Sequence, residues 1–356
     1  MQHPDICIAG AGIIGLSLAL ELHHRGLRVT VFDRGNPLAE ASTAAAGMLA
    51  ASDPDNPPQL RPLADLSLEL YPAFLERLHS LSGMRVPFHT HTTLQSLPHH
   101  ILTAAGALTT NDLTHLLPAL VPRDHRFIIL DEHSLDPREL AAALLAAVQA
   151  TSIDLRAHAA VHSIQSHPDS IEIYTATGVL HAARFVDCTG AWAATTSSLG
   201  VTPKKGQMLS VSLPSSFPLH FVVRTPDIYI VPRTTIPGAA VHAIIGATVE
   251  DAGFDKTVHP SDIARLRSLA ATLLPVLSDA PELESWAGLR PATPDGLPLL
   301  GAFPGCAHHY IATGHYRNGI LLAPVTALLM TQTIMGEPVS LDLSPFSPTR
   351  FPAPPK

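Results

Sequence analysis

Residues 5–33 read DICIAGAGIIGLSLALELHHRGLRVTVFD, and this stretch decides how the chain begins to fold. "DICIAG" is a short apolar strand. "GLSLALELHHRG" has the composition of a helix and ends at Gly26, a residue suited to a helix C-terminal stop. "LRVTVFD" is a second strand, carrying the β-branched Val29 and Val31. Strand, helix and strand within about 30 residues imply a right-handed parallel βαβ unit. Gly10, Gly12 and Gly15 stand in a G-x-G-x-x-G pattern at the strand-to-helix turn. Gly10 permits the tight turn, Gly12 lets a pyrophosphate approach the backbone, and Gly15 allows the helix to pack closely on the strand. The helix N-terminus supplies N–H groups and a positive dipole end. Asp33 ends the second strand 18 residues past Gly15, where a carboxylate accepts hydrogen bonds from an adenosine ribose. A glycine turn without a ligand would need neither that acid nor that placement, so a dinucleotide site is the stronger reading.

The chain has 356 residues, 46% hydrophobic and 15% charged, enough for a large core and two domains. Its net charge of −8 comes without a long run of either sign, which disfavours nucleic acid and anionic membrane as partners. Three isolated cysteines, Cys7, Cys188 and Cys306, fit a reduced, cytoplasmic compartment. Neither a signal peptide nor a run of about 18 apolar residues is expected, so no membrane association is assigned.

Beyond Asp33 comes a loop of small residues, "EASTAAAGMLAASDPDNPP", then a helical stretch "LADLSLELYPAFLERLHSLSG" that Pro72 should break or kink. "DPRELAAALLAAVQA" (136–150) reads as a helix with Asp136 as N-cap and Pro137 at its first position. Strands at 159–165, 170–175 and 178–187 form a β-meander running into "FVDCTGAW". Residues 206–256 alternate apolar and polar as in an antiparallel sheet, and 260–277 should form an amphipathic helix capped by Ser261. A strand at Tyr310–Ala312, the turn "TGHYRNG" and the helix "ILLAPVTALLMTQTIMG" follow.

The late stretch "WAGLRPATPDGLPLLG" (286–301) sets Arg290 among glycines, prolines and apolar residues. A guanidinium in such surroundings needs an anion, because an unpaired buried charge is costly. On the residues alone two partners remain open: Asp295 of the protein, or a carboxylate brought by a ligand.

"GAGIIG", "STAAAGML", "WAGLRPATPDGLPLLG" and "GHYRNGILLAP" together resemble the D-amino-acid-oxidase-type FAD-dependent oxidoreductases, and within them the glycine oxidases of thiamine biosynthesis. The resemblance runs from residue 6 to about 336. The architecture it implies is α/β, an α+β two-domain flavoprotein. A Rossmann-type FAD-binding domain with a β-meander (1–82, 136–205 and 281–356) is joined to a substrate domain on an antiparallel sheet (83–135 and 206–280). A nicotinamide enzyme would continue after the first βαβ with more βα units, whereas this chain goes to a meander and returns to the nucleotide late. A reduced flavin also needs positive charge near its N1–C2=O locus, and a helix starting near Gly319 offers its N–H groups there.

By the resemblance, His315, Tyr316, Arg317, Asn318, Gly319, Ile320 and Leu321 line the isoalloxazine. Ile13, Ile14, Asp33, Arg34, Ser42, Thr43, Ala46, Gly47, Met48 and Gly190 hold the rest of the FAD with the three glycines, and Val161 meets the adenine side through its backbone. Some relatives attach the flavin through a cysteine two residues past the equivalent of Arg290; this chain has Ala292, which implies noncovalent FAD. Arg290 would then grip the carboxylate of a small amino-acid substrate bidentately, as an arginine fork can and a lysine cannot. Tyr229 would reach the same carboxylate, and Arg317 would add positive field. O2 would be the electron acceptor, giving hydrogen peroxide, a 2-oxo acid and ammonia. The family precedent also allows a homo-oligomer.

Two other readings compete: a dehydrogenase of the same fold passing electrons to a quinone or carrier, and a noncatalytic FAD-binding protein. The first wants a membrane-docking segment; the second has no need of a carboxylate clamp. The histidines, among them His89, His91, His99, His100, His308 and His309, lack companion cysteines or HExxH spacing, so no metal is assigned. Asp187 and Cys188 read as strand residues, and His315 as a packing residue at a helix entry.

Overall fold

A computed structural model describes residues 3–97, 106–196, 199–217, 219–233, 241–306 and 308–351. Ile6–Ala9 lies near the middle of a six-stranded sheet. The strand order is Leu299–Ala302, His309–Thr313, Arg184–Asp187, Ile6–Ala9, Val29–Phe32, Asp154–Arg156. All neighbours are parallel except the first pair. All four residues of Ile6–Ala9 are buried, as expected of a strand covered on both faces. Ile6 and Ile8 enter a core with the helices Ile13–His24, Arg61–Ser82, Pro137–Gln149 and Gly319–Met335. Cys7 and Ala9 point the other way, onto Ile171, Ile173 and Ala182 of a three-stranded meander. The period of two thus sorts helix from meander.

The meander comprises Val161–Ser166, Ile171–Thr175 and Gly178–Ala182. The expected last strand, 178–187, is two strands: the chain leaves the meander after Ala182, and Arg184–Asp187 pairs with Ile6–Ala9 instead. Helix Arg61–Ser82 runs through Pro72 without ending, so of the break or kink expected there the break does not occur. One lost hydrogen bond is outweighed by the face of Leu63, Ala64, Ser67, Tyr71 and Leu78 buried against the core. The hydroxyls of Ser67 and Tyr71 also donate to the Leu321 and Ile320 carbonyls, 2.6 Å each, fixing the start of the C-terminal helix. Asp136 caps its helix as read, accepting from the Arg138 amide at 2.7 Å.

The second sheet has seven strands in the order Glu282–Ala292, Thr202–Ser212, His242–Gly246, Tyr229–Arg233, Val222–Arg224, Thr93–Ser96, Phe127–Leu130. One face packs on helix Pro260–Leu273. That helix starts at Pro260 with His259 as N-cap and stops at Leu273, short of 277; Ser261 is not the cap, because proline already fixes the first helical residue. Strand Glu282–Ala292 pairs with Thr202–Ser212 along its length. Residues 282–292 and 202–205 therefore hydrogen-bond within this sheet, although their segments were assigned above to the nucleotide part. That pairing hangs Arg290 from the second sheet. Among the described residues no helix is long and apolar enough to cross a membrane.

Candidate active site

A cavity of about 400 Å³ runs between the two sheets, from Gly10, Gly12, Asp33 and Val161 to Tyr229, Arg290 and Gly319. At one end Gly10 turns with φ +100°, and a Cβ there would collide with the Cys188 carbonyl. A Cβ on Gly15 would collide with the Gly10 carbonyl, so Gly15 serves packing and does not line the cavity. Helix Ile13–His24 begins at Gly12 with no side-chain cap on it and no acidic residue in its first turn. Ser42 accepts from the Ile13 amide at 2.9 Å. Asp33 accepts from the Ala11 and Gly35 amides, 2.8 Å each, which locks the turn beside the cavity.

Arg34 and Glu40 pair at 3.3 Å, and the Arg34 guanidinium lies 3.5 Å from the centroid of the Trp192 ring. Ile13, Ile14, Ala46, Gly47, Met48 and Gly190 line the wall between the two ends. Thr43 does not: it lines a smaller space of about 190 Å³ behind the 41–47 segment, and its hydroxyl donates to the Leu38 carbonyl at 3.0 Å.

At the other end the chain turns through His315–Asn318. Tyr316 takes φ 47°, and its amide donates to the Pro291 carbonyl at 2.8 Å, tying this turn to the strand that carries Arg290. His315 is buried; its Nε2 meets the Thr326 hydroxyl at 2.9 Å, and burial pushes its pKa down to about 3, so the ring is neutral. Gly319 and Ile320 open the C-terminal helix against the cavity, where no side chain caps it. Leu321 points into the core instead, 1% exposed, so the expected lining ends at Ile320.

Arg290 and Tyr229 meet on the cavity face of the second sheet. Tyr229 lies opposite Gly246, which lies opposite Met208, and both glycines of the cradle are required. A Cβ at Gly246 would sit 2.5 Å from the Tyr229 hydroxyl, and one at Gly206 would sit inside the Arg290 guanidinium. Arg290 donates to the Thr248 carbonyl at 3.1 Å, and the Thr248 hydroxyl accepts from the Gln207 amide at 2.8 Å. Burial raises the Tyr229 pKa, with Arg290, Arg317 and Arg233 opposing the rise, so the phenol stays protonated beside these guanidiniums. The internal partner considered for Arg290 is engaged elsewhere: Asp295 pairs with Arg350 at 2.8 Å. Among the described residues no carboxylate lies within ion-pair distance of Arg290.

Arg317 differs. It pairs with Asp53 at 3.1 Å and Asp55 at 3.4 Å, and these outweigh the burial that works against its charge. Asp53 and Trp192 both line the cavity and were missed from the sequence. Asp53 lies in a loop and Trp192 ends a short 3-10 turn, Gly190–Trp192, and neither falls in a pattern that marks a ligand contact. Among the described residues no group of three or more potential metal ligands is gathered; His99 and His100 lie outside them.

The sequence profile described as "FAD dependent oxidoreductase" matches residues 5–333. The chain belongs to this FAD-dependent oxidoreductase family. It is 36% identical over 365 residues to the bifunctional protein ThiO/ThiG of Trichormus variabilis, covering 98% of this chain and 55% of that one. The chain thus spans about half the length of the first curated relatives it matches. It is 33% identical to the glycine oxidase of Geobacillus kaustophilus, with 97% of each chain covered. The crystal structure of glycine oxidase from that organism superposes with a TM-score of 0.89 at 32% identity, covering 99% of this chain. FAD is the family's cofactor, and the cavity fits it. The glycine turn and the helix start at Gly12, which carries no acidic residue, suit the pyrophosphate, Asp33 the ribose, and the Gly319 helix start the flavin end.

Proposed function

We propose that this chain of the FAD-dependent oxidoreductase family oxidises glycine or another small amino acid. The observation that carries the reading is Arg290, a cavity guanidinium with no internal carboxylate among the described residues, set beside the Tyr229 hydroxyl. A planar fork in that position takes an α-carboxylate bidentately, and Tyr229 adds a neutral donor to it.

FAD when bound supplies a two-electron acceptor that takes hydride from a substrate Cα. The chain's own residues bind and orient. Anchored by its carboxylate, a small amino acid has its Cα held at a fixed distance from the clamp, and orientation is the main rate gain available. His315, the histidine lining the cavity among the described residues, is a poor general base: burial lowers its pKa to about 3 and its ring is bonded to Thr326. The substrate amine therefore has to arrive uncharged. The released imino acid hydrolyses to a 2-oxo acid and ammonia, and O2 takes the two electrons and two protons to leave hydrogen peroxide. A place in thiamine biosynthesis rests on the resemblance noted above.

The test is anaerobic addition of glycine, sarcosine, D-alanine and D-proline to the yellow holoprotein. Bleaching by one of them supports amino-acid oxidation and ranks the substrates; rapid recolouring in air supports an oxidase over a dehydrogenase. A yellow protein that none of the four bleaches would sink the reading.

A further inference from the structure

Arg290 and Arg317, two of the arginines that line the cavity, are provisioned differently. Among the described residues Arg290 meets no carboxylate, only the Thr248 carbonyl and the Tyr229 hydroxyl, whereas Arg317 already faces Asp53 and Asp55. Behind Asp53, 3.8 Å away, lies the buried Arg224, which pairs with the buried Glu132 at 2.9 Å. The group around Arg317 therefore holds three carboxylates against two guanidiniums. Asp53 is 8% exposed, and its loop is fastened: its carboxylate accepts from the Asp55 amide at 3.0 Å, and Asn56 bonds to Asn318 at 2.9 Å. This carboxylate cannot swing away to make room for another.

Building on the amino-acid reading above, we propose that Asp53 is a specificity-determining residue that restricts the site to substrates with one carboxylate. The α-carboxylate goes to Arg290. A second carboxylate on the substrate would reach for Arg317, another cation beside Tyr229 that lines the cavity, and would there meet Asp53 and Asp55. Like charges brought together in a cavity repel strongly, so a pre-paired arginine rejects an anion that an unpaired one would bind. Specificity then comes from a repulsive element and not from pocket width alone. Amino acids of the iminodiacetate or D-aspartate type are rejected; glycine, sarcosine and D-alanine are admitted.

The experiment uses the FAD-loaded protein as wild type, Asp53→Asn and Asp55→Asn. Flavin reduction is followed anaerobically with glycine against iminodiacetate and with D-alanine against D-aspartate. In parallel, acetate and malonate are titrated as non-reacting ligands by their perturbation of the flavin spectrum. Wild type should favour the monocarboxylate in each pair. Asp53→Asn, which keeps the shape and removes the charge, should narrow each ratio at least about tenfold, and the malonate-to-acetate ratio should move the same way. Asp55→Asn, at an exposed partner of Arg317, should give a smaller shift in the same direction and stands alone if the Asp53 variant fails to hold FAD. A wild type that takes iminodiacetate as readily as glycine overturns the proposal. So do ratios that neither folded variant moves. If no amino acid reduces the wild type, the amino-acid reading fails separately, and the malonate-to-acetate ratio still decides whether Asp53 excludes a second carboxylate.

Discussion

Arg290 rests on Gly206: the guanidinium occupies the space that a side chain at 206 would need, one strand away on the paired sheet. The clamp thus depends on a residue that touches no ligand. Gly206→Ala should push the guanidinium out of line with the Thr248 carbonyl and raise KM for the amino acid by about 10–100-fold, the loss of a well-placed charged hydrogen bond. FAD content should stay near that of the wild type. Arg290→Lys should cost at least as much, since an ammonium cannot form the paired bonds. Steady-state kinetics with flavin content as a control checks this; an unchanged KM in a folded Gly206→Ala would mean that Arg290 does not hold the substrate.

Tyr229 carries the second prediction. Burial lifts its pKa above the usual 10 against three neighbouring cations, so the hydroxyl donates throughout the neutral range. Tyr229→Phe should raise KM about 5–10-fold, the worth of one hydrogen bond of about 1 kcal/mol. It should leave the pH profile in place. In both proteins kcat/KM should climb with pH as the substrate amine loses its proton, because among the described residues the one cavity histidine, His315, stays neutral there. If the phenol were the proton acceptor, the rising limb would vanish in Tyr229→Phe.

How much of this was legible beforehand follows from how each residue is constrained. The glycine turn and Asp33 were readable because a strand, a turn and a helix in 29 residues fix them by local chemistry alone. Arg290 was readable as a cation wanting an anion, but its freedom from Asp295 was not, because Arg350 arrives from 55 residues away. The same holds for Asp53, whose partners Arg317 and Arg224 are distant in sequence and meet it only through the packing of two sheets. Local signals mark what local geometry decides. Thr43 and Leu321 sit beside true lining residues, and only the tertiary direction of their side chains excludes them.

The flavin should come off whole. Ala292, where some relatives have a cysteine, is buried and has no thiol, and the only cysteine lining the cavity among the described residues is Cys188. Burial raises the Cys188 pKa well above its ordinary value, so it is a poor nucleophile. Acid precipitation should leave all of the yellow colour in the supernatant and an unmodified protein mass in the pellet. Colour retained by the pellet would contradict the noncovalent reading.

Acid should destabilise the fold earlier than its carboxylates alone would require. Burial holds His315 neutral to about pH 3, and His89 and His309 to about pH 4, against 6.5 in the unfolded chain. In that window the unfolded state binds more protons than the folded one, so stability is complete above pH 6.5 and falls as pH drops toward the folded values. For His315 alone the loss between pH 7 and pH 5 is about 2 kcal/mol, from about 1.4 kcal/mol per unit. Thermal unfolding from pH 4.5 to 7.5 should therefore show a Tm that declines on the acid side. His315→Asn can still bond to Thr326 but cannot titrate, so it should have a lower Tm at pH 7 and a shallower decline. Parallel curves for the two proteins would show that His315 is not a buried neutral ring, and would reopen it as an acid–base group at the flavin end of the cavity.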